Sequence, residues 1–369
     1  MLFSRREEDR MDKDLCVLGP VTSLLVWRAA RGGLIDLPRQ DEAQPDLGLC
    51  HARVREVRQV DLVRAMGEVP LDVIVGSRAR SHNGTLRSIY LAGKMPPGSF
   101  MHVGEGLYVC TPELCFALLG RGGQVLRLAE LGLELCGAYS LAPDQSGRFC
   151  SCPALTKKKR LASYLDLLGH RHGLVTARKA LDLVTDGSAS PRETSLYLMF
   201  VTPVRMGGYG FQRPELNARV GIRHQATGSP LVRTCMVDQL FRDDKGKKIL
   251  VVDGIKRRPP AGARQAEGAG RTDGATTREQ HWEALARDGL DVVVMGRSDT
   301  MSMGGLEAKA LRIGRLLGRP MHVAGGLARQ RRLELFGLLF DDSRWQAEHA
   351  ALCQLAGYSR PAARERRVA

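Results

Sequence analysis

Hydrophobic and polar positions change period several times along the chain, and each change marks an element. Leu71-Asp72-Val73-Ile74-Val75 and Gly106-Leu107-Tyr108-Val109-Cys110 are short, apolar and rich in β-branched residues, which predicts strands. Turn chemistry at Ser81-His82-Asn83-Gly84 and Pro96-Pro97-Gly98 separates the runs around them. Thr111-Pro112-Glu113 predicts a helix start: the threonine hydroxyl caps it, the proline presets the first turn and the glutamate lies at the positive end of the dipole. Residues 142–156, with Pro143, Gly147 and Pro153, read as a linker, and 155–183 as helix broken at 169–173.

In Ser190-Pro191-Arg192-Glu193 the serine accepts from the amide of the glutamate, which reaches back in turn. This capping box predicts a helix over Pro191–Val201, and Gly207-Gly208-Tyr209-Gly210 allows a tight reversal after it. Runs at 234–241 and 248–252 predict strands joined by the polar turn Asp243-Asp244-Lys245-Gly246. Residues 259–275 are rich in Gly, Ala, Pro and Arg and bury no core, so disorder is expected over a loop at 255–275. A helix over 276–287, a strand over Asp291–Met295, a helix over 305–317 and a last helix around 345–356 complete the pattern. The chain therefore reads as α/β (α+β). It divides into a mobile lead-in at 1–14, a mixed α/β domain at 15–141, a linker and helical connector at 142–214, a domain with a mixed sheet at 215–326, and a basic tail at 327–369.

With 369 residues and 43% hydrophobic content, the chain has enough apolar surface to bury more than one core. A net charge of +15 favours a polyanionic partner, nucleic acid first, because neutralising phosphates releases condensed counterions. The same charge also fits a solvated basic surface. Lys157-Lys158-Lys159-Arg160 leaves the same choice open between a solvated helix face and a phosphate-contacting patch. No apolar window is long enough to span a bilayer, and the first residues are acidic where a signal peptide is apolar. A cytoplasmic protein with no membrane partner is expected. The nine cysteines lack the paired C-x-x-C spacing of a zinc site. Cys115 and Cys136 lie in apolar runs and read as small core residues, and Cys150-Ser151-Cys152 is the one close pair. His170 and His172 read as polar surface.

Met236-Val237-Asp238, followed after a turn by Ile249-Leu250-Val251-Val252-Asp253-Gly254, resembles the V-D-F to V-I-E-L-D-G pattern of very-short-patch-repair-like endonucleases, a branch of the PD-(D/E)XK superfamily. The resemblance implies a restriction-endonuclease-like C-terminal domain in which Asp238 and Asp253 are catalytic metal ligands for Mg2+. The position of that family's glutamate is Val251, which coordinates nothing, and Ile255-Lys256-Arg257-Arg258 stands where a histidine is expected. These departures imply a degenerate site, with Lys247, Lys248, Lys256, Arg257 and Arg258 contacting the phosphates of DNA. An alternative keeps the enzyme active, with Asp243 or Asp244 in place of the missing glutamate.

The first half, through Trp27-Arg28, Met95-Pro96-Pro97-Gly98-Ser99-Phe100 and Thr111-Pro112-Glu113-Leu114, resembles AbiEi-type antitoxins without their N-terminal winged helix. The resemblance implies association with a defence or toxin–antitoxin module. It also implies a second alternative: a regulatory protein that binds a protein partner through residues 15–141.

Overall fold

The structure is a computed structural model and describes residues 16–37, 41–50, 71–76, 86–91, 93–104, 107–143, 148–169, 173–224, 231–253, 286, 290–319, 321 and 325–340. These residues form an α+β chain, as expected, in two compact units that divide between Asp186 and Gly187. Among the described residues no helix is long and apolar enough to cross a membrane.

Unit 1 contains β1 (Cys16–Leu18), α1 (Pro20–Arg31), β2 (Asp41–Ala43), β3 (Leu71–Val75), β4 (Leu86–Tyr90), β5 (Phe100–Gly104) and β6 (Leu107–Cys110). Then come α2 (Pro112–Leu119), α3 (Val125–Leu135), the hairpin of β7 (Tyr139–Leu141) and β8 (Phe149–Ser151), α4 (Lys158–Leu168) and α5 (Leu174–Leu183). The six-stranded sheet runs β2-β5-β6-β1-β3-β4, with β1–β6 and β3–β4 parallel and the other pairs antiparallel.

The expected cap at Thr111 forms, its Oγ1 accepting from Leu114 N at 3.4 Å. The break between α4 and α5 falls at 169–173, where Gly173 (φ 89) packs so close to Gly120 that a Cβ on Gly120 would lie 2.5 Å from the Gly173 carbonyl oxygen. Helix α1 has no side chain of its own to cap it. Its first amides are taken by the buried carboxylate of Asp72, which accepts from Val21 N at 3.0 Å, Thr22 N at 2.7 Å and Thr22 Oγ1 at 2.6 Å. Further along the helix, Arg28 and Glu134 form a buried bidentate pair at 3.0 and 2.6 Å. The buried charges of unit 1 thus serve its architecture. Cys115 and Cys136 are buried as expected.

Unit 2 contains α6 (Pro191–Val201), β9 (Glu215–His224), β10 (Leu231–Arg242), β11 (Lys248–Asp253), β12 (Asp291–Met295), α7 (Arg297–Met301), α8 (Met303–Leu316) and α9 (Gly326–Phe340). Strands β9, β10 and β11 are an antiparallel meander, and β12 adds parallel to β11. A parallel neighbour requires a crossover, and the chain between β11 and β12 is long enough to make one. Phe200, Tyr209, Phe211 and Phe241 cluster with ring centroids 5.8 to 6.2 Å apart and anchor α6 on the sheet.

Differences from expectation have local causes. Helix α9 occupies the start of the tail, ahead of the one helix expected there; it is held by Ser195 Oγ donating to Leu339 O at 2.8 Å and by Arg332, which lies 4.4 Å over the Tyr209 ring. Strand β10 is longer than the run 234–241, because β9 pairs with it out to Leu231↔His224. The helix expected around 345–356, the turn at 81–84 and the loop at 255–275 lie outside the described residues, as does the helix expected over 276–287 apart from residue 286, which is helical.

Candidate functional site

The two ends of the unit 2 sheet differ in chemistry. At one end α6 begins with its capping box. Ser190 Oγ accepts from Glu193 N at 3.1 Å, while Glu193 Oε2 accepts from Ala189 N at 2.9 Å, one residue earlier than the pattern predicts. The same Oε2 accepts from Asn217 Nδ2 at 2.9 Å, and that amide also donates to Gly187 O at 2.7 Å. Asn217 has φ 48, a left-handed conformation that asparagine tolerates better than most residues. The β9–β10 ladder, with Val237↔Ala218 and Gln239↔Leu216, sets Asn217 across from Asp238. Asp238 itself is half-buried, between exposed Met236 and buried Leu240 on its face of the strand.

The β10–β11 rungs run from Arg242↔Lys248 to Gln239↔Val251. Val251 and Gln239 are each 1% exposed, and Val251 pairs on its other side with fully buried Val293. Val251 is therefore buried in the sheet, and Leu240 and Leu250 at the alternate positions are buried too, in a core cluster with Val237. These rungs end at Gln239↔Val251, so Asp238 and Asp253 lie at the end of the hairpin beyond the last of them.

Asp299 and Arg192 also lie near this end, and sequence reasoning missed both. Asp299 follows β12 and accepts from Gly296 N at 2.7 Å, with Lys309 Nζ at 3.5 Å, while Arg192 Nη2 donates to Gly296 O at 2.8 Å. Glu193 and Asn217 were missed as site residues as well. The capping box marked Glu193 as structural, and nothing in the pattern marked Asn217. Among the described residues no group of three or more His, Cys, Asp or Glu side chains is placed to hold a metal ion.

The other end is the turn. Asp243 Oδ1 accepts from Lys245 N at 2.9 Å and Lys247 N at 2.6 Å, which closes the turn, and Asp244 is 81% exposed beside Arg319 at 3.9 Å. Four residues lie between Asp238 and Asp243, a span of about 17 Å at roughly 3.3 Å per residue. Neither Asp243 nor Asp244 can replace a glutamate beside Asp238, so that alternative is corrected by distance.

Lys247 and Lys248 are at the turn end too. Lys247 is ion-paired with Asp291 at the start of β12, whose hydrogen bond and charge hold the ammonium above the ordinary lysine pKa. Lys256, Arg257 and Arg258 lie outside the described residues.

In unit 1 the basic run at the start of α4 is partly committed to structure. Lys158 N donates to Asp186 Oδ1 at 2.8 Å, and Arg160 pairs with Glu113 at 3.2 Å. Cys150 and Cys152 are half-buried and free, and burial pushes the Cys152 thiol up to about 11.

Comparison with known proteins adds no identity to this geometry: no family model matches the chain, and no curated protein or solved structure does.

Proposed function

We propose that unit 2 is a nucleic-acid-associated, nuclease-like module whose metal site is degenerate, in a protein of the defence or toxin–antitoxin kind. The observation that carries this reading is the pairing of its sheet: an antiparallel meander with a fourth strand added parallel to β11, and Asp238 at the open end of the hairpin while Val251 is sealed inside. A magnesium ion needs hard oxygen ligands in near-octahedral array, commonly one or two carboxylates with water and substrate phosphate. Buried Val251 offers no oxygen ligand, and two aspartates alone do not make a complete protein site, so no hydrolytic step is assigned to them. The net charge of +15 supports nucleic acid as the partner.

The test has two arms. In a mobility-shift assay at low salt the full chain retains duplex DNA, and retention falls steeply as salt rises. In a plasmid-nicking assay with magnesium or manganese it leaves supercoiled DNA intact. Nicking that disappears in Asp238→Ala would overturn the degenerate site, and absence of any retention at low salt would overturn the nucleic-acid reading itself.

A further inference from the structure

We infer that the turn end of the unit 2 sheet is a phosphate-binding face for the backbone of a nucleic acid. The inference rests on the proposal that unit 2 associates with nucleic acid, and it assigns the contact to a surface remote from Asp238.

Three segments far apart in sequence form this face. The hairpin turn carries Lys245, Lys247 and Lys248, α8 carries Arg312 and Arg315, and the chain just beyond it carries Arg319. Gly318 (φ 68) turns the chain back after α8, and Arg319 N donates to Gly314 O at 2.8 Å. Arg319 is thereby brought to within 3.9 Å of Asp244 on the hairpin. Arg312 Nη2 donates to Val292 O at 3.3 Å, and Lys247 pairs with Asp291, which ties both to the start of β12.

Among the described residues the acids here, Asp243, Asp244, Asp291 and Glu215, are fewer than the bases and largely occupied, Glu215 by Arg242 at 3.0 Å. Asp243 closes the turn and Asp291 holds Lys247. Among the described residues no acidic partner is seen for Lys245, Lys248, Arg312 or Arg315, and all of these but half-buried Lys248 are exposed.

The chemistry of the face selects the class of partner. Protein interfaces draw most of their affinity from buried aromatic or aliphatic anchors. Among the described residues the exposed large hydrophobic side chains of unit 2 are Val204, Met236, Met301, Leu327 and Leu333, and none belongs to the hairpin turn or to the last turns of α8. A surface with exposed guanidinium and ammonium groups and no apolar anchor suits phosphate oxygens, which guanidinium can grip with two parallel hydrogen bonds. From Lys248 to Asp253 the strand advances about 17 Å at roughly 3.3 Å per residue, so phosphates held here lie several nucleotides from any group at the Asp238 end.

The experiment compares the full chain with Lys245→Glu/Arg312→Glu/Arg315→Glu for binding of a fluorescent DNA duplex, by anisotropy over about 50 to 200 mM salt. The expected result is weaker binding and a fall of roughly 2 to 3 in the slope of log affinity against log salt, close to one for each phosphate that is no longer neutralised. Lys245→Gln/Arg312→Gln/Arg315→Gln, which removes charge but keeps length, gives a smaller loss in the same direction and covers the case in which charge reversal unfolds the protein.

Two results overturn the inference and leave the proposed function standing: a folded variant that binds DNA with wild-type affinity and slope, or loss of binding only on reversal of Lys256, Arg257 and Arg258. A variant that keeps DNA binding but loses binding to phosphatidylserine vesicles overturns it in favour of a membrane surface. If the wild-type chain binds no duplex at low salt, both readings fall.

Discussion

Replacing Val251 with glutamate restores the acidic residue that the resembling endonucleases carry, yet the sheet register predicts that it damages the fold. Val251 is 1% exposed, and its strand neighbours are Gln239 and fully buried Val293. Removing its side chain from the core forfeits about 1.5 to 3 kcal/mol of apolar burial. Placing an unpaired carboxylate there adds several kcal/mol of desolvation. Gln239 has an amide that could donate one hydrogen bond to the charge, worth about 1.5 to 3 kcal/mol. The sum leaves Val251→Glu destabilised by at least about 3 kcal/mol, a large part of a typical domain's stability of roughly 5 to 15 kcal/mol.

The introduced carboxyl has its pKa raised by burial above the unfolded value of about 4.3. Stability is therefore retained best below that value and is lost as pH rises through the folded pKa. Urea denaturation in mildly acidic and mildly alkaline buffer, with and without magnesium, reads this directly. Val251→Ala serves as the apolar control, with a loss of about 2 kcal/mol that does not depend on pH. If Val251→Glu matches the wild type in alkaline buffer, or gains stability from magnesium that the wild type does not, residue 251 is not sealed in the core.

Unit 1 supplies two further predictions. Glu134→Ala leaves Arg28 buried without its bidentate partner and removes the acceptor of Leu141 N at 3.1 Å, so urea denaturation should show a loss of about 3 to 5 kcal/mol, much of it recovered when Arg28→Met is added. Burial pushes the Cys50 thiol up to about 12 and the Cys152 thiol up to about 11, so alkylation of the native chain in mildly alkaline buffer, read by peptide mass mapping, should label both far more slowly than in denaturant; equal rates would refute their placement.

The features legible in the sequence were local. Helix α6 was readable because its start is written in contiguous residues, Ser190, Pro191 and Glu193, whose chemistry allows little else. Strands β3 and β12 were readable as compact β-branched runs. Helix α1 was not: it is buried over Pro20 to Ala29, so it shows no polar face, and the residue that caps it is Asp72, fifty positions away. Helix α9 buries Arg332 with Leu335 and Leu339, and a buried arginine breaks the apolar stripe that marks a helix. Strand β9 did carry a signal, the alternation of Leu216, Ala218, Val220 and Ile222, which polar neighbours at Glu215, Asn217, Arg219 and Arg223 disguise as surface.

The candidate site resisted sequence reading for a different reason. A motif gives which carboxylates lie near each other along two strands, whereas the face each one takes depends on register, and register is set by how the turn at Asp243 closes. With the rungs at Arg242↔Lys248 and Gln239↔Val251, the residue two before Asp253 meets buried Gln239. One residue more or less in the turn would shift these rungs and change the partner of position 251. At a position sealed between Gln239 and Val293, valine is the residue the core favours, and a carboxylate there would be desolvated without a partner of opposite charge on either rung.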